Sequence, residues 1–362
     1  MRPETRPFIS LDLGTANVLA YVSGQGVVYN EPSLMAYNNK TNSLIALGKA
    51  AYDMVGKTHG DIRMVTPLVD GVIADMEAAQ DLLKHIFSRM KMMNIWKNAI
   101  VLLACPSGVT ELEREALKNV AKEMGAELVI IEEEAKMAAL GAGINIELPQ
   151  GHLIIDIGGG TTDLAIISSG DIVVSRSIKV AGSHFDDDIR KYIRSEYNIA
   201  IGQKTAEDVK KFIGSLVKYH NERSMQIYGR DIVSGLPKEA KISSEEIRNV
   251  LLNAFSKITD LVIELLENTP PELAGDIMRN GITVCGGGAL IRNIDKYFFD
   301  IFQLPTKTAS DPLNCVIEGT KIFEKTIKKN IENGLYNFQE KGLLSSLGKK
   351  ENKLKQKNIR AI

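Results

Sequence analysis

Twice in this chain an apolar strand pattern ends in an aspartate and runs into a turn rich in glycine and hydroxyls. The first is Asp12-Leu13-Gly14-Thr15-Ala16-Asn17, after the run Phe8–Leu13; the second is Asp156-Ile157-Gly158-Gly159-Gly160-Thr161-Thr162-Asp163, after His152–Ile157. Each turn is followed by further short strand patterns, residues 18–22 and 27–29 in the first case and 163–167 and 172–180 in the second. A unit repeated 144 residues apart predicts one design used twice. Its chemistry is specific as well. Glycine lets backbone N–H groups approach an anion closely, hydroxyls add donors, and an aspartate suits the water shell of Mg²⁺. Either loop alone reads equally well as a strand turn needing positive φ. In matching context, the two read as facing halves of a clamp for a polyphosphate.

A chain of 362 residues has room for two such units, since domains commonly run to roughly 100 to 200 residues. Between the loops, residues 75–90 carry apolar side chains at helical spacing and 99–105 form an apolar run stopped by Pro106. Thr110 and Glu113 make a capping-box signature opening a helix to Met124, followed by a strand pattern at 128–131. A small-residue helix is expected over 134–143, and the lobe boundary near residue 145. Beyond Ser183 the pattern turns helical, with Thr205 and Ser243 as N-caps, a long helix over 244–267, and a break at Pro270-Pro271. Then come a strand at 281–285, a helix over 289–302 and a last helix over 312–325. Gly286-Gly287-Gly288 leaves that strand and is expected to open the helix near Ala289, where a helix N-terminus would attract phosphate or nucleotide groups; close packing of helix on strand is the alternative.

Composition narrows the function classes. Hydrophobic residues at 44% with 25% charged describe an ordinary globular chain. The formal net charge of -1 conceals a basic end: residues 325–362 hold ten Lys/Arg against three Asp/Glu. The remainder is acidic, which argues against a nucleic-acid-binding body and leaves the tail as the contact for an anionic surface. Cys105, Cys285 and Cys315 show no metal-ligand spacing and are expected to be reduced, buried and cytosolic. Met1 to Pro7 offers no signal-peptide run, and apolar stretches of about seven residues fall far short of the roughly 18 to 20 that cross a bilayer. No GxxxxGK[ST] P-loop occurs, and no G-x-G-x-x-G follows the first strand.

The two loops, the acidic segment between them and the final glycine run, in this order, resemble the superfamily of actin, sugar kinases and chaperone ATPases. Within it the chain is similar to the MreB-type bacterial actins. That resemblance rests on Asn30-Glu31-Pro32-Ser33, Asp70-Gly71-Val72-Ile73-Ala74-Asp75, Ile131-Glu132-Glu133-Glu134, Gly158 to Asp163, Gly286 to Leu290 and Asp311-Pro312-Leu313-Asn314-Cys315-Val316, and it covers roughly residues 8–325. It implies an α/β, actin-like, duplicated ribonuclease-H-like fold: two lobes of two subdomains each around a nucleotide cleft. Subdomain IA would take 1–32, 66–144 and 315–330, IB 33–65, IIA 145–182 and 254–314, and IIB 183–253, with 331–362 as the basic tail. The implied ligands are ATP or ADP with Mg²⁺, and the implied activity is slow ATP hydrolysis coupled to filament dynamics in a cytoskeleton that determines or maintains cell shape.

Residue by residue, the resemblance places Asp12 and Asp156 as the acids that organise Mg²⁺ through water. Gly14, Thr15, Ala16, Asn17 and Gly158, Gly159, Gly160 and Thr161 fall on the phosphate loops. Glu134, aided by Thr161, matches the water-activating carboxylate; read alone, Glu132 to Glu134 would be a solvated acidic turn. Gly182, Glu207, Lys210, Gly286, Gly287, Gly288 and Ala289 match the adenosine side, although a Glu and a Lys on one helix face are ordinarily surface charges. The chain also departs from the family pattern. Ala135-Lys136 stands where the family commonly has Pro-Met, and a cation beside Glu134 is expected to pair with it and slow hydrolysis. Ala181-Gly182-Ser183 replaces a Gly-Gly-Asp pattern, and nothing in the sequence explains the change.

The implied partners are copies of the chain itself in a homopolymer filament, an anionic membrane surface, and membrane-protein or cytoskeletal proteins; nucleic acid is not among them. The implied location is cytoplasmic, peripheral at the inner face of the cell membrane. Met1 to Pro7 is too short and proline-rich for an amphipathic anchor helix. The loop 90–98, with Ile95 and Trp96 among lysines, suits interfacial insertion or packing beneath a neighbouring subdomain. The tail reads equally as a solvated segment or as a weak amphipathic helix on anionic lipid. Two other readings share the fold: a nucleotide-binding filament scaffold with little hydrolysis, and a metabolite kinase, for which no acceptor base is identifiable. A chaperone ATPase would need a peptide-binding domain for which the residues after the last helix are too few.

Overall fold

The structure is a computed structural model and describes residues 6–91 and 98–336. Two five-stranded mixed sheets dominate. The first runs Leu128–Glu133, Ile100–Cys105, Phe8–Leu13, Asn17–Val22, Gly26–Pro32 across the sheet; the second runs Asp171–Ile178, Thr162–Ser168, His152–Ile157, Ile282–Cys285, Thr306–Thr308. In each, three sequential strands form an antiparallel meander, and two later strands add in parallel beside the first. This is the ribonuclease-H-like order, present twice as the repeated loops predict. Every residue of Phe8–Leu13 and of Ile100–Cys105 is buried, which accounts for near-continuous apolar runs rather than alternation.

The connection from the third strand to the parallel fourth carries an insertion in both halves. Residues 33–65 contribute a small sheet of Leu44–Leu47, Met35–Asn38 and Ile62–Val65. In the second half the counterpart is a sheet of Ile199–Ala200, Ser224–Asp231 and Pro237–Ser243, with helices Gly182–Tyr197 and Gln203–Ile213. The helical reading beyond Ser183 overlooked this second sheet, because its two longer strands alternate exposed and half-buried positions with hardly an apolar run. Two of the expected caps behave differently. Ser243 closes a full capping box with Glu246, as Thr110 does with Glu113, whereas Thr205 lies inside the helix that Gly202 caps.

The expected helix over 289–302 is also divided. A short 3₁₀ turn, Gly287–Leu290, follows the glycine run, and the α-helix Ile294–Phe302 begins only after Asn293, whose φ of 64° breaks the chain direction. The glycines therefore do not form an α-helix N-terminus. The three cysteines are free and buried, as read. Among the described residues no helix is long and apolar enough to cross a membrane. Ile95 and Trp96, and most of the basic tail, lie outside the described residues.

The halves meet at two helices. Glu134–Gly141 and Cys315–Glu332 cross at glycine on both sides: a Cβ on Gly141 would stand 1.8 Å from the Cys315 carbonyl oxygen, and one on Gly319 1.8 Å from that of Met137. A continuous core joins Phe8, Ile100 and Leu102 of the first sheet to Ile154, Ala165 and Ile167 of the second through Met137, Leu140, Phe323 and Ile327 of these helices. The last helix returns to the start of the chain, where the Ser10 and Thr320 hydroxyls lie 2.6 Å apart and Ser23 donates to Glu324 at 2.9 Å.

Since backbone cannot retreat as a flexible side chain does, Gly319→Ala is expected to cost about 1–3 kcal/mol of stability in denaturant unfolding. Gly275→Ala, in the helix Pro271–Asn280 with open space around it, is expected to stabilise by roughly 0.5–1 kcal/mol.

Candidate functional site

The repeated loops converge. A Cβ on Gly159 would stand 2.5 Å from the Ala16 side chain, and one on Gly160 2.8 Å from Thr15. The second turn is braced by Gly158, whose N–H bonds to the Thr161 carbonyl at 2.9 Å, and by Thr162, whose hydroxyl donates to the Val180 carbonyl at 2.7 Å. A third turn reaches in from the hairpin Leu68–Val69 and Val72–Ile73: Asp70 and Gly71 both take positive φ, and a Cβ on Gly71 would lie 2.6 Å from Thr161 Cγ2. Glycine is required here by conformation and by space at once.

Beneath the loops the strand ends deliver acids. Asp12 and Asp156 are both buried, and Asp156 faces the buried Asp163 directly across the antiparallel pair. Like charges opposite one another normally destabilise a sheet. Asp163 stands in the quoted motif, but its role follows only from the register, which a four-residue turn between Ile157 and Thr162 imposes. Ser107 Oγ donates to Asp163 Oδ1 at 2.9 Å. Glu134 opens its helix with Oε1 buried and without a hydrogen-bond partner.

Burial raises the Asp12 carboxyl to about 7. Burial, then the charges of Asp163 and Asp12, raise Asp156 to about 8, although a hydrogen bond with Cys285 works the other way. Burial followed by Asp12, Asp163 and Asp156 pushes Glu134 well above the usual carboxylate range. No cation is among the causes for any of the three. An unpartnered buried oxygen within a set of acids fits a divalent cation. Among the described residues no three acid, His or Cys side chains converge as direct ligands; Asp12 and Asp156 are the residues that would hold the water shell of such an ion.

Lys136 was expected to pair with Glu134 and does not. Its ammonium lies 3.5 Å from Glu132 and 3.6 Å from Asp171, and 5.3 Å from the centre of the Phe323 ring. Residues two apart on a helix point to different sides, so the neighbour in sequence faces away from the acid cluster.

The remaining candidate residues form a second group. Gly286, at φ 78°, lies so close to the acids that a Cβ would stand 2.3 Å from Asp156 Oδ1, and one on Gly288 would stand 2.2 Å from Ile157 Cγ2. Gly287 lies beside Leu313, and Ala289 is buried. Gly182 bonds through its N–H to the Gly158 carbonyl at 3.1 Å, and its own carbonyl accepts from Lys210 Nζ at 3.0 Å. Lys210 also pairs with the buried Asp186 at 2.8 Å. Glu207 accepts from the Tyr52 hydroxyl at 2.7 Å. Sequence reasoning did not anticipate Tyr52, which lies 155 residues away from its partner in the chain.

Two ribonuclease-H-like halves, joined at crossing helices and bringing two glycine turns together over buried acids, define an actin-like fold. A family model described as MreB/Mbl protein matches residues 6–332, and the chain belongs to that family. It is 41% identical over 321 residues to the cell shape-determining protein Mbl of Bacillus subtilis, covering 89% of this chain and 96% of the relative. Against the cell shape-determining protein MreB of Escherichia coli K12 the identity is 39% over 316 residues, covering 86% and 91%. Among solved structures, MreB5 of Spiroplasma citri bound to AMPPNP is 99% identical, with a TM-score of 0.89 over 92% of this chain and 100% of that one. The same protein bound to ADP is 98% identical over 91% and 100%, again at 0.89. A MamK double helical filament, 21% identical with a TM-score of 0.74 over 89% and 99%, shares the fold.

The raised carboxyls carry a pH signature. A group whose folded-state pKa exceeds its unfolded value gives its full stabilisation below the unfolded pKa and loses it as pH rises through the folded one. For Asp156 the loss runs from about 4 to about 8. Without metal and nucleotide, Asp156→Asn is therefore expected to raise the melting temperature more at about pH 8.5 than at about pH 5.5. A gain independent of pH would contradict the burial of an ionised Asp156.

Proposed function

We propose that this chain binds ATP with Mg²⁺ between its two glycine turns, hydrolyses it slowly, and assembles head to tail into filaments of a shape-determining cytoskeleton at the inner face of the cell membrane, within the subdomain division given above. The observation that carries the reading is the convergence of residues 14–17 and 158–161 over Asp12, Asp156 and the unpartnered Glu134 oxygen. Backbone N–H groups and the Thr15 and Thr161 hydroxyls supply donors for the phosphates. Mg²⁺, when bound, neutralises charge on the phosphates and on the acids around it.

Phosphoryl transfer asks the protein mainly for positioning and electrostatics. Glu134 accepts a hydrogen bond from the attacking water and aims it at the terminal phosphate, and Thr161, held by the Asp70–Gly71 turn, fixes the other side. The water oxygen bonds to that phosphorus as the bond to the ADP oxygen breaks, and the water proton leaves toward Glu134. A carboxylate pushed above its ordinary range is a better acceptor for that proton. MreB5, at 99% identity, has been solved with AMPPNP and with ADP, which supports a nucleotide in the cleft. The filament of MamK supports self-assembly by this fold. An open head-to-tail stack is what a heterologous interface without closure produces. For membrane contact the support is sequence alone: the basic tail, and Ile95 and Trp96 within the loop 90–98.

Glu134→Ala is expected to lower phosphate release with ATP and Mg²⁺ by about 10²-fold while leaving nucleotide binding intact. An unchanged rate would favour the scaffold reading. Pelleting with anionic liposomes is expected to exceed pelleting with neutral ones and to fall at high salt; indifference to both lipid charge and Trp96→Ala would remove the membrane from the proposal.

A further inference from the structure

Tyr52 sits at the end of a single-turn helix, Lys49–Tyr52, in the first insertion; Glu207 lies in Gln203–Ile213, in the second. Their 2.7 Å hydrogen bond ties together segments that share no sheet. The contact is reinforced on both sides. Lys204, one turn before Glu207, places its ammonium 5.5 Å from the centre of the Tyr52 ring, and Lys211 pairs with the second Glu207 oxygen. Burial works to raise the Glu207 carboxyl, but hydrogen bonds from Lys211 and Tyr52 outweigh it and hold the group below its ordinary value. The carboxylate is therefore charged and engaged at both oxygens.

This contact connects to the phosphate loops in three steps. Glu207 and Lys210 share a helix face. Lys210 donates to the Gly182 carbonyl, and the Gly182 N–H bonds to Gly158 in the second glycine turn. A ligand that shifts the turn thus pulls on the helix that Tyr52 grips.

We propose that Tyr52 is a latch: by closing on Glu207 across the mouth of the cleft it retains bound nucleotide, and its opening sets the rate of nucleotide release. The inference rests on the nucleotide-binding reading and adds a residue which that reading does not contain. A hydroxyl bonded to a charged acceptor is among the stronger hydrogen bonds, and partial exposure lowers its worth, so losing it should speed opening by about 5- to 10-fold.

The test is stopped-flow release of a fluorescent ADP analogue from the full chain with Mg²⁺, chased with ATP. Tyr52→Phe keeps the ring under Lys204 and removes only the hydroxyl. Release is expected about 5- to 10-fold faster, with thermal melting showing the variant folded, while Tyr228→Phe, an exposed tyrosine on the strand Ser224–Asp231, releases at the wild-type rate. Equal rates for wild type and Tyr52→Phe would overturn the latch and leave nucleotide binding standing. Slower release from Tyr52→Phe would also overturn it, since Tyr52 would then be competing with the sugar for Glu207. Failure of the wild type to bind the analogue would overturn the latch together with the reading beneath it.

Discussion

The burial of Asp12, Asp156, Asp163 and Glu134 close to one another is the constraint around which the rest of the molecule is arranged. Four acids in one buried place cost free energy in the isolated chain, and the folded state accepts that cost because the elements bearing them have no freedom to separate. Asp12 and Asp156 are the penultimate residues of central strands that are buried throughout but for the half-buried His152. Asp163 is fixed opposite Asp156 by backbone pairing. The cost is therefore built into the protein's own acids, and a cation among them would offset it.

The fourth acid links this cluster to the junction between the halves. Glu134 is the first residue of the helix that crosses Cys315–Glu332 at Gly141 and Gly319. Close approach of two backbones leaves them little room to slide past one another. The acid with the unpartnered oxygen and the element joining the halves are thus one piece of structure.

The duplicated sheets were legible because their information is local and repeated. An aspartate at a strand end followed by glycine, a capping box at Thr110 and another at Ser243 each specify backbone geometry within a few residues. The small sheet at 199–243 was not legible, since strands exposed on one face carry little apolar signal. The glycine run at 286–288 was read for its composition, and composition does not distinguish a helix start from a turn packed against Ile157 and Asp156. Asp163 and Tyr52 escaped for a different reason: their roles depend on which residue faces them, one through strand register and the other through contact 155 residues away.

Lys136 shows the same limit from the opposite side. Its position two residues after Glu134 gave the scaffold reading its motive, since a cation held against the carboxylate proposed to activate water would block that role. Adjacency along a helix is not adjacency in space. The ammonium is held by Glu132 and Asp171 and lies near the face of Phe323, in the core that joins the halves. Its charge offsets two acids outside the cluster and leaves Glu134 with an oxygen that has no protein partner. The departure from the family's usual residue therefore acts on how the junction packs, and it takes from the scaffold reading the argument that had favoured it.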